Sequence, residues 1–595
     1  MDDSGRSTAA GRKGPLFNQE ELARVERARC ASHTVVTSRP QSLGYLSIAC
    51  IIINKMIGTG IFKTPTVVMQ GTSSVGIAVI FWVLGAVVAI AGVLVFSEFG
   101  LTVPRMQVEG QHEKESVPRN GGEKNYVRES PLLVFLTSNS FWKLEYLCPK
   151  PHFLATCLYG IPFILLGNTA GNAIVFAENA IRASEREPTN VEVRGVAIAV
   201  ITFACLIHAV WRRGGVYLNN VFGLVKVAIL LTLFFVGVAS AAGAIKSSAA
   251  SSGSVAKENF DPATSFKDRA VGSYKYTEAF LSVMFAYDGF NQANYVLGEI
   301  DDPRRKFKRA ALSTVGFVSA FYILVNITYM LVVPKSDQNK TSSDVATSFF
   351  QRVFGEEVAS RVLLVLMAIS GLGNVLVQTF TAARVKQEIA KEGILPWSAF
   401  FARNSDLRFF RRGPRSRSQT HAGETPVGAF LLHWVFAVAL IVATSAQNPS
   451  DTYRTSVYLY SFTVDALFGF VVGLGLLYLR LNEARTKWST KSASKPWLSI
   501  SAATIFTLGN FFPLVGIWIP PGSGSVFVPT ANWFVTGTVG IVVVVAGFVW
   551  WVGLYCMVPR VRGMKLEVEK EEVLDNGYGY WIMWHEIVRF HWVVK

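Results

Sequence analysis

The stretch "NKMIGTGIFKTP", residues 54–65, breaks an otherwise apolar run with Gly58-Thr59-Gly60. A helix in hydrocarbon must satisfy its own backbone, because lipid offers no partner for a freed N–H or C=O. Two readings of the break are open: neighbouring helices patch it, or something binds there.

The run around it is one of many. Of 595 residues, 51% are hydrophobic and only 16% charged, too little charge for a soluble chain of this length. The apolar residues gather in blocks of about 20 to 28, which matches the thickness of a bilayer core. The chain therefore reads as an all-α polytopic membrane protein of about twelve transmembrane helices. They are expected at 44–71, 77–103, 153–181, 195–211, 216–243, 277–300, 310–333, 361–390, 426–444, 454–480, 497–519 and 531–557. The first forty residues are polar and basic and show no cleavable signal peptide. The six cysteines imply no disulfide-braced ectodomain.

A formal net charge of +16 raises nucleic acid as a partner, but the distribution of charge points away from it. Lys and Arg fall in the N-terminal tail, the 104–152 loop, Arg212-Arg213, Arg304 to Arg309, the 403–417 run, the 480–495 loop and the C-terminal tail. The connections 72–76, 445–453 and 520–530 carry none. The positive-inside rule then puts both termini in the cytoplasm. The run "RFFRRGPRSRSQ" (408–419) reads as a topogenic loop, with anionic lipid as the alternative partner. Asn339-Lys340-Thr341 is a sequon on the opposite side. No Walker loop, zinc-ligand spacing or nucleophile elbow is present, so no enzyme, cofactor or metal site is expected.

A second break decides what the first one is for. The sixth span holds "FAYDGFNQAN", residues 285–294. If spans one to five and six to ten form two halves, both breaks lie in the first helix of a half. Interrupted spans at corresponding positions point to a transporter site. The N–H groups opening a second half-helix favour a carboxylate, and the carbonyls ending a first half-helix accept from an ammonium. An α-amino acid carries both groups.

With "FSEFGLTVPR", "GGEKNY", "FAYDGFNQANYVLGEIDDPRR" and "ARVKQEIAKEGILP", the segment "MIGTGIF" resembles the fungal branch of the L-type amino acid transporters. Within that branch it is most similar to high-affinity methionine permeases, of the amino acid–polyamine–organocation superfamily. The resemblance covers about residues 40–560 and implies a five-plus-five inverted repeat with broken helices 1 and 6 and two extra helices. The expected organisation is a cytoplasmic tail 1–43, a transporter domain 44–557 and a cytoplasmic tail 558–595. Within the domain, repeat one is 44–243, repeat two 277–480 and the extra helices 497–557. Carried over by residue, Ile57, Gly58, Thr59 and Gly60 would cradle the substrate carboxylate. Phe285, Ala286 and Gly289 match the broken sixth helix, with Phe285 as its aromatic gate, and Asn291 matches a polar residue beside it. Two departures bear on substrate charge: Asn54-Lys55 before the first break, and Asp288 where animal members have Gly.

Lys226 lies some ten residues into the fifth span, where a lysine is costly unless it faces the bundle interior. The resemblance gives its ammonium the place of a sodium ion and implies proton coupling, with interface snorkelling as the alternative. Asp288 is open between two roles: binding a substrate ammonium or the coupled proton, and capping or pairing. Glu98 is expected to form an ion pair or gate rather than to couple a proton, Asp465 and Glu278 are weaker candidates of the same kind, and His208 and His433 read as interface-seeking or packed residues rather than proton relays. Animal relatives join an accessory glycoprotein through a Cys between spans three and four. "RASEREPTNVEVR" has none, so no covalent heavy chain is expected.

The leading expectation is proton-coupled import of methionine or other neutral amino acids across the plasma membrane, a vacuolar membrane being compatible. A polyamine or cationic amino acid carrier and an amino acid-sensing receptor are the rivals. "VRESPLLVFLTSNSFWK" (127–143) interrupts the family pattern, and its removal gives "GGEKNYLEYLCPKPHFLATC". At 51 nucleotides in frame, a retained intron is one reading, and an insertion docked on the membrane surface is the other.

Overall fold

The computed structural model describes residues 34–38, 43–108, 114–129, 153–244, 252–267, 269–270, 272–339, 344–405, 425–520, 534–576 and 580–594. The basic run 408–419, the last two residues of the 339–341 sequon and residues 130–143 of the 127–143 segment lie outside them.

The first span is a bent pair, α1 (Tyr45–Met56) and α2 (Gly60–Thr72), which meet at 41°. Then come α3 (Val75–Thr102), a short α4 (Glu123–Glu129), and a third span made of α5 (Leu154–Leu166) and α6 (Ala170–Ala183). α7 (Asn190–Val210) and α8 (Arg212–Ala241) complete five. The sixth span is α9 (Ser273–Tyr287) followed, after a break, by a 3-10 turn at Gln292–Glu299. α10 (Pro303–Val332), α11 (Glu356–Ala390) and α12 (Val427–Ala443) follow. The tenth span is α13 (Pro449–Tyr460), a π-helical segment (Ser461–Leu467) and α14 (Phe468–Leu481). α15 (Pro496–Gly516) and α16 (Val535–Trp551) are last. Each of the twelve expected spans falls on one of these segments. Among the described residues nine helices are long and apolar enough to cross a membrane, ten with the bent pair.

Local chemistry sets the ends. α7 begins at a capping box in which the Thr189 and Glu192 side chains and backbones bond reciprocally. α10, α13 and α15 each place a proline in the first turn, where the missing N–H costs nothing. α8 and α10 start four and seven residues before their apolar blocks. Hydropathy reports only the buried stretch, whereas helical hydrogen bonding continues through Arg212 and "PRRKFK". Small residues allow close crossings: a Cβ on Gly237 would lie 2.5 Å from Thr328, and one on Gly516 2.2 Å from Thr277 Oγ1. The outer faces stay apolar and exposed, with Phe235 on α8 and Val542 and Val549 on α16.

The terminal segments, set aside as tails by hydropathy, form a sheet. β1 (Thr34–Ser38), β2 (Met564–Asp575) and β3 (Ile582–Val594) are ordered β1-β3-β2, with β3 antiparallel to both neighbours. Buried charges dock this sheet on the helices. Glu586 of β3, fully buried, pairs with Arg119 and, at 2.7 Å, with Lys391. Glu388 reaches the same two cations at 2.8 and 2.7 Å. Lys570 of β2 and Lys124 of α4 share Glu392, at 2.7 and 2.5 Å. Burial alone would push the Glu586 carboxyl up, but Arg119 and Lys391 outweigh it and hold that group below the usual glutamate range. "GGEKNY" and "KQEIAKEG" thus supply docking charges for the sheet.

Candidate functional site

The two breaks meet. At the first, Ile57 N–H still bonds to Ile53 at 2.8 Å, and Gly58 N–H turns back to Met56 at 2.8 Å. α2 then restarts at Gly60: Phe62 and Lys63 N–H turn back to the Thr59 carbonyl at 3.2 and 3.1 Å, and the Gly60 and Ile61 N–H groups ahead of them have no intrahelical partner. Ser370 of α11 donates to the Ile57 carbonyl at 3.1 Å. Gly58 is needed because Asn374 lies against it: a Cβ there would fall 2.3 Å from Asn374 Nδ2. At the second break, Asp288 is extended (φ −60°, ψ 136°) and Gly289 has φ +120°. A Cβ on Gly289 would also meet the Lys55 stem at 2.6 Å, so glycine is required twice over. Gly60 and Ala286 are the contact point, since a Cβ on Gly60 would lie 3.1 Å from Ala286 Cα.

Tyr453 of α13 bridges the breaks from one side. Its hydroxyl shares a 2.6 Å hydrogen bond with Thr59 Oγ1, and its ring meets Phe285 edge-on at 6.2 Å. Lys63 lies over the same ring at 5.2 Å. A cavity of about 70 Å³ opens beside Phe285, lined by Lys55, Asn168, Asn172, Gln378, Ser456 and Tyr460 among others. It brings the third, eighth and tenth spans to the breaks.

Lys226 is fully buried, and its ammonium donates to the Asn54 carbonyl at 2.6 Å and to Asn374 Oδ1 at 3.1 Å. A buried amine thus sits on the last turn before the first break, where the helix dipole is negative and favours its protonated form. Lys55, one residue on, pairs with Asp288 at 2.9 Å, both 5% exposed. It also donates to Gln378 at 3.3 Å.

Asn291 turns elsewhere: its Nδ2 donates to Glu123 Oε1 at 2.6 Å. Tyr295 and Tyr159 add hydrogen bonds to Glu123, each at 3.2 Å. The structure therefore groups Ile57, Gly58, Thr59, Gly60, Phe285 and Ala286 around the junction. It places Asp288 and Gly289 against Lys55, and Asn291 against Glu123. Glu123 and Tyr453 were missed by sequence reasoning; "GGEKNY" flagged the first, and nothing flagged Tyr453. Glu98 pairs with Arg480 at 2.6 Å and Glu278 with Arg454 at 3.0 Å. His208 stacks between Phe380 and Phe430, and His433 Nδ1 lies 3.2 Å from the Lys386 ammonium.

Nine apolar membrane-length helices among the described residues, ten with the bent pair, and two interrupted segments that meet at their breaks define a polytopic helical membrane protein. Residues 43–546 match the amino acid permease family model, and the chain belongs to that family. It is 29% identical to a high-affinity methionine permease of Saccharomyces cerevisiae over 540 residues, 90% of this chain and 83% of the relative. It is 24% identical to a low-affinity methionine permease of the same yeast, over 90% of this chain and 86% of that one. It is also 28% identical to human b(0,+)-type amino acid transporter 1, over 75% and 77% of the two chains.

Proposed function

We propose that this chain imports neutral L-amino acids, methionine among them, by proton-coupled alternating access. The plasma membrane is its proposed address, with both termini cytoplasmic. The observation that carries the reading is the junction of Gly58–Gly60 with Phe285–Gly289. The N–H groups opening α2 suit a carboxylate, and the carbonyls ending α9 suit an ammonium. Lys226 supports proton rather than sodium coupling, because its ammonium already holds the Asn54 carbonyl beside the break.

A polyamine or cationic amino acid substrate needs Asp288 as a free counter-charge. Asp288 lies 2.9 Å from the Lys55 ammonium, so its charge is spent within the protein and a neutral side chain is favoured. Uptake of labelled methionine, lysine and putrescine by cells expressing the protein, at acidic and neutral external pH, tests the reading. Methionine accumulation that rises with acidity is expected. Putrescine uptake alone would refute it, and binding without accumulation would favour a receptor.

A further inference from the structure

The tenth span is interrupted by a π-helical segment, "SFTVDAL", that contains neither Gly nor Pro. π turns inside α-helices concentrate at functional sites, since the extra residue re-aims one side chain. Here Asp465 lines a cavity of about 30 Å³ together with Asp288, Asn291, Glu123, Tyr287 and Asn510. A space of that size holds about one water.

The charges around this cavity do not balance. Glu123 accepts hydrogen bonds from Asn291, Tyr295 and Tyr159. Asp288 has the Lys55 ammonium. Asp465 Oδ2 is buried without a hydrogen bond of ordinary geometry; the Ser461 hydroxyl of its own π turn is its polar neighbour, and no cation lies within ion-pair distance among the described residues. Asn291 Oδ1, on a side chain 4% exposed, is a second acceptor on the same cavity that lacks a donor. Two acceptors on one small cavity need a donor, which a hydrogen on the Asp465 carboxyl or a water in the cavity would supply. Every titratable group facing the site is accounted for. Lys55 comes from α1, Glu123 from α4, Tyr159 from α5, Tyr287 and Asp288 from the sixth span, Tyr295 from its 3-10 turn, and Tyr460 from the same span as Asp465. α3 and α15 contribute only Gly85, Val88, Ala89, Phe96, Phe506 and Asn510, and α16 carries no titratable residue.

We propose that Asp465 is the carboxyl that takes up and releases the coupled proton, donating it to Asn291 Oδ1 directly or through one water. This deepens the transport reading above and rests on it. Lys55 precedes the first break and Asp288 follows α9, so their ion pair clasps the two broken spans. Lys55 also lies over the Tyr460 ring at 5.7 Å, on the span that carries Asp465. Protonated Asp465 leaves Lys55 to Asp288. Once Asp465 loses its proton, two carboxylates compete for one ammonium and the clasp loosens, which links proton release to movement at the breaks.

The test uses the full-length protein in proteoliposomes, with labelled L-methionine as the probe. Two assays are run: counterflow without a gradient, and uptake driven by an imposed pH gradient. A gradient of about two pH units supports up to about a hundredfold accumulation per coupled proton. Asp465→Asn is expected to keep counterflow within about twofold of wild type while losing gradient-driven accumulation and its pH dependence, and Asp465→Glu to restore both. Unchanged accumulation and pH profile in Asp465→Asn would overturn the inference. So would loss of counterflow in both folded variants, which marks a structural role, or accumulation driven by sodium instead. Wild-type protein without methionine counterflow would refute the transport reading itself, and the inference with it.

Discussion

Gly60 is where the two breaks touch, so a graded series there measures how closely they must approach. An alanine Cβ would lie 3.1 Å from Ala286 Cα, 3.3 Å from Ala286 Cβ and 3.7 Å from Thr64 Oγ1. Its neighbours must yield a few tenths of an ångström, and the nearest is backbone, which yields poorly. Against this, alanine improves helix propensity by up to about 1 kcal/mol, less in a first turn. Overpacking costs about 1–3 kcal/mol, so Gly60→Ala should lose about 1 kcal/mol of the apposed state, a several-fold fall in uptake. Gly60→Val adds two γ-carbons beyond that contact and should cost about 3 kcal/mol or more, a loss of about a hundredfold. Initial-rate uptake normalised to surface protein is the assay. Adding Ala286→Gly removes the 3.3 Å neighbour but leaves the 3.1 Å one, so it should rescue the alanine variant in part and the valine not at all. Wild-type uptake by Gly60→Val would refute the claim that the breaks act as a close pair.

Lys226→Ala should remove most transport, because it takes away the donor that, among the described residues, caps the Asn54 carbonyl at the break; Lys226→Arg should rescue poorly, its planar fork differing from a compact ammonium. Normal uptake by both variants at several pH values would reduce Lys226 to a structural lysine. Glu586→Gln should undock the terminal sheet, leaving Arg119 and Lys391 to share Glu388; breaking such buried pairs costs about 3–5 kcal/mol, and faster trypsin cleavage of the C-terminal hairpin reports it. The Glu586 carboxyl titrates below its unfolded value, so its contribution is present above about pH 4 and is lost as pH falls through the folded pKa; docking that shows no weakening however far the pH is lowered below about 4 would contradict this. Deleting 127–143 puts Leu144 in place of Val127, which is buried on α4, and restores "GGEKNYLEYL"; uptake should be kept or improved, and a dead variant with those nucleotides present in the mature transcript would show the segment to be integral.

The spans and both breaks were legible because each rests on local contrast: Gly-Thr-Gly or Asp-Gly inside a run of Ile, Val and Phe stands out at any scale. The π segment was not, since "SFTVDAL" carries no Pro or Gly and its widened turn is a product of packing. The terminal sheet was legible in part. "MKLEVEKEEVLD" alternates apolar and charged residues as a half-buried strand does, but its pairing through β3 to Thr34–Ser38 joins opposite ends of the chain. Charge partners were the least legible, because an ion pair between distant segments leaves no periodicity to read. Glu123 sat in a quoted motif while its donors came from the third and sixth spans.

The two departures from the family pattern show what that blindness costs. Read singly, Lys55 and Asp288 each add a charge beside the breaks, and each argues for a charged substrate. At 2.9 Å and 5% exposure they cancel one another, and neither is left for a ligand. A buried pair of this kind gains little net stability, since desolvation offsets most of the attraction. Its consequence is conditional. Removing either partner leaves the other charge buried and uncompensated, so each residue makes the other necessary, and both span breaks are tied to the charge state of their surroundings. Asp465, on the same cavity as Asp288, has no cation within ion-pair distance among the described residues, which is why the proton is assigned to it and not to Asp288.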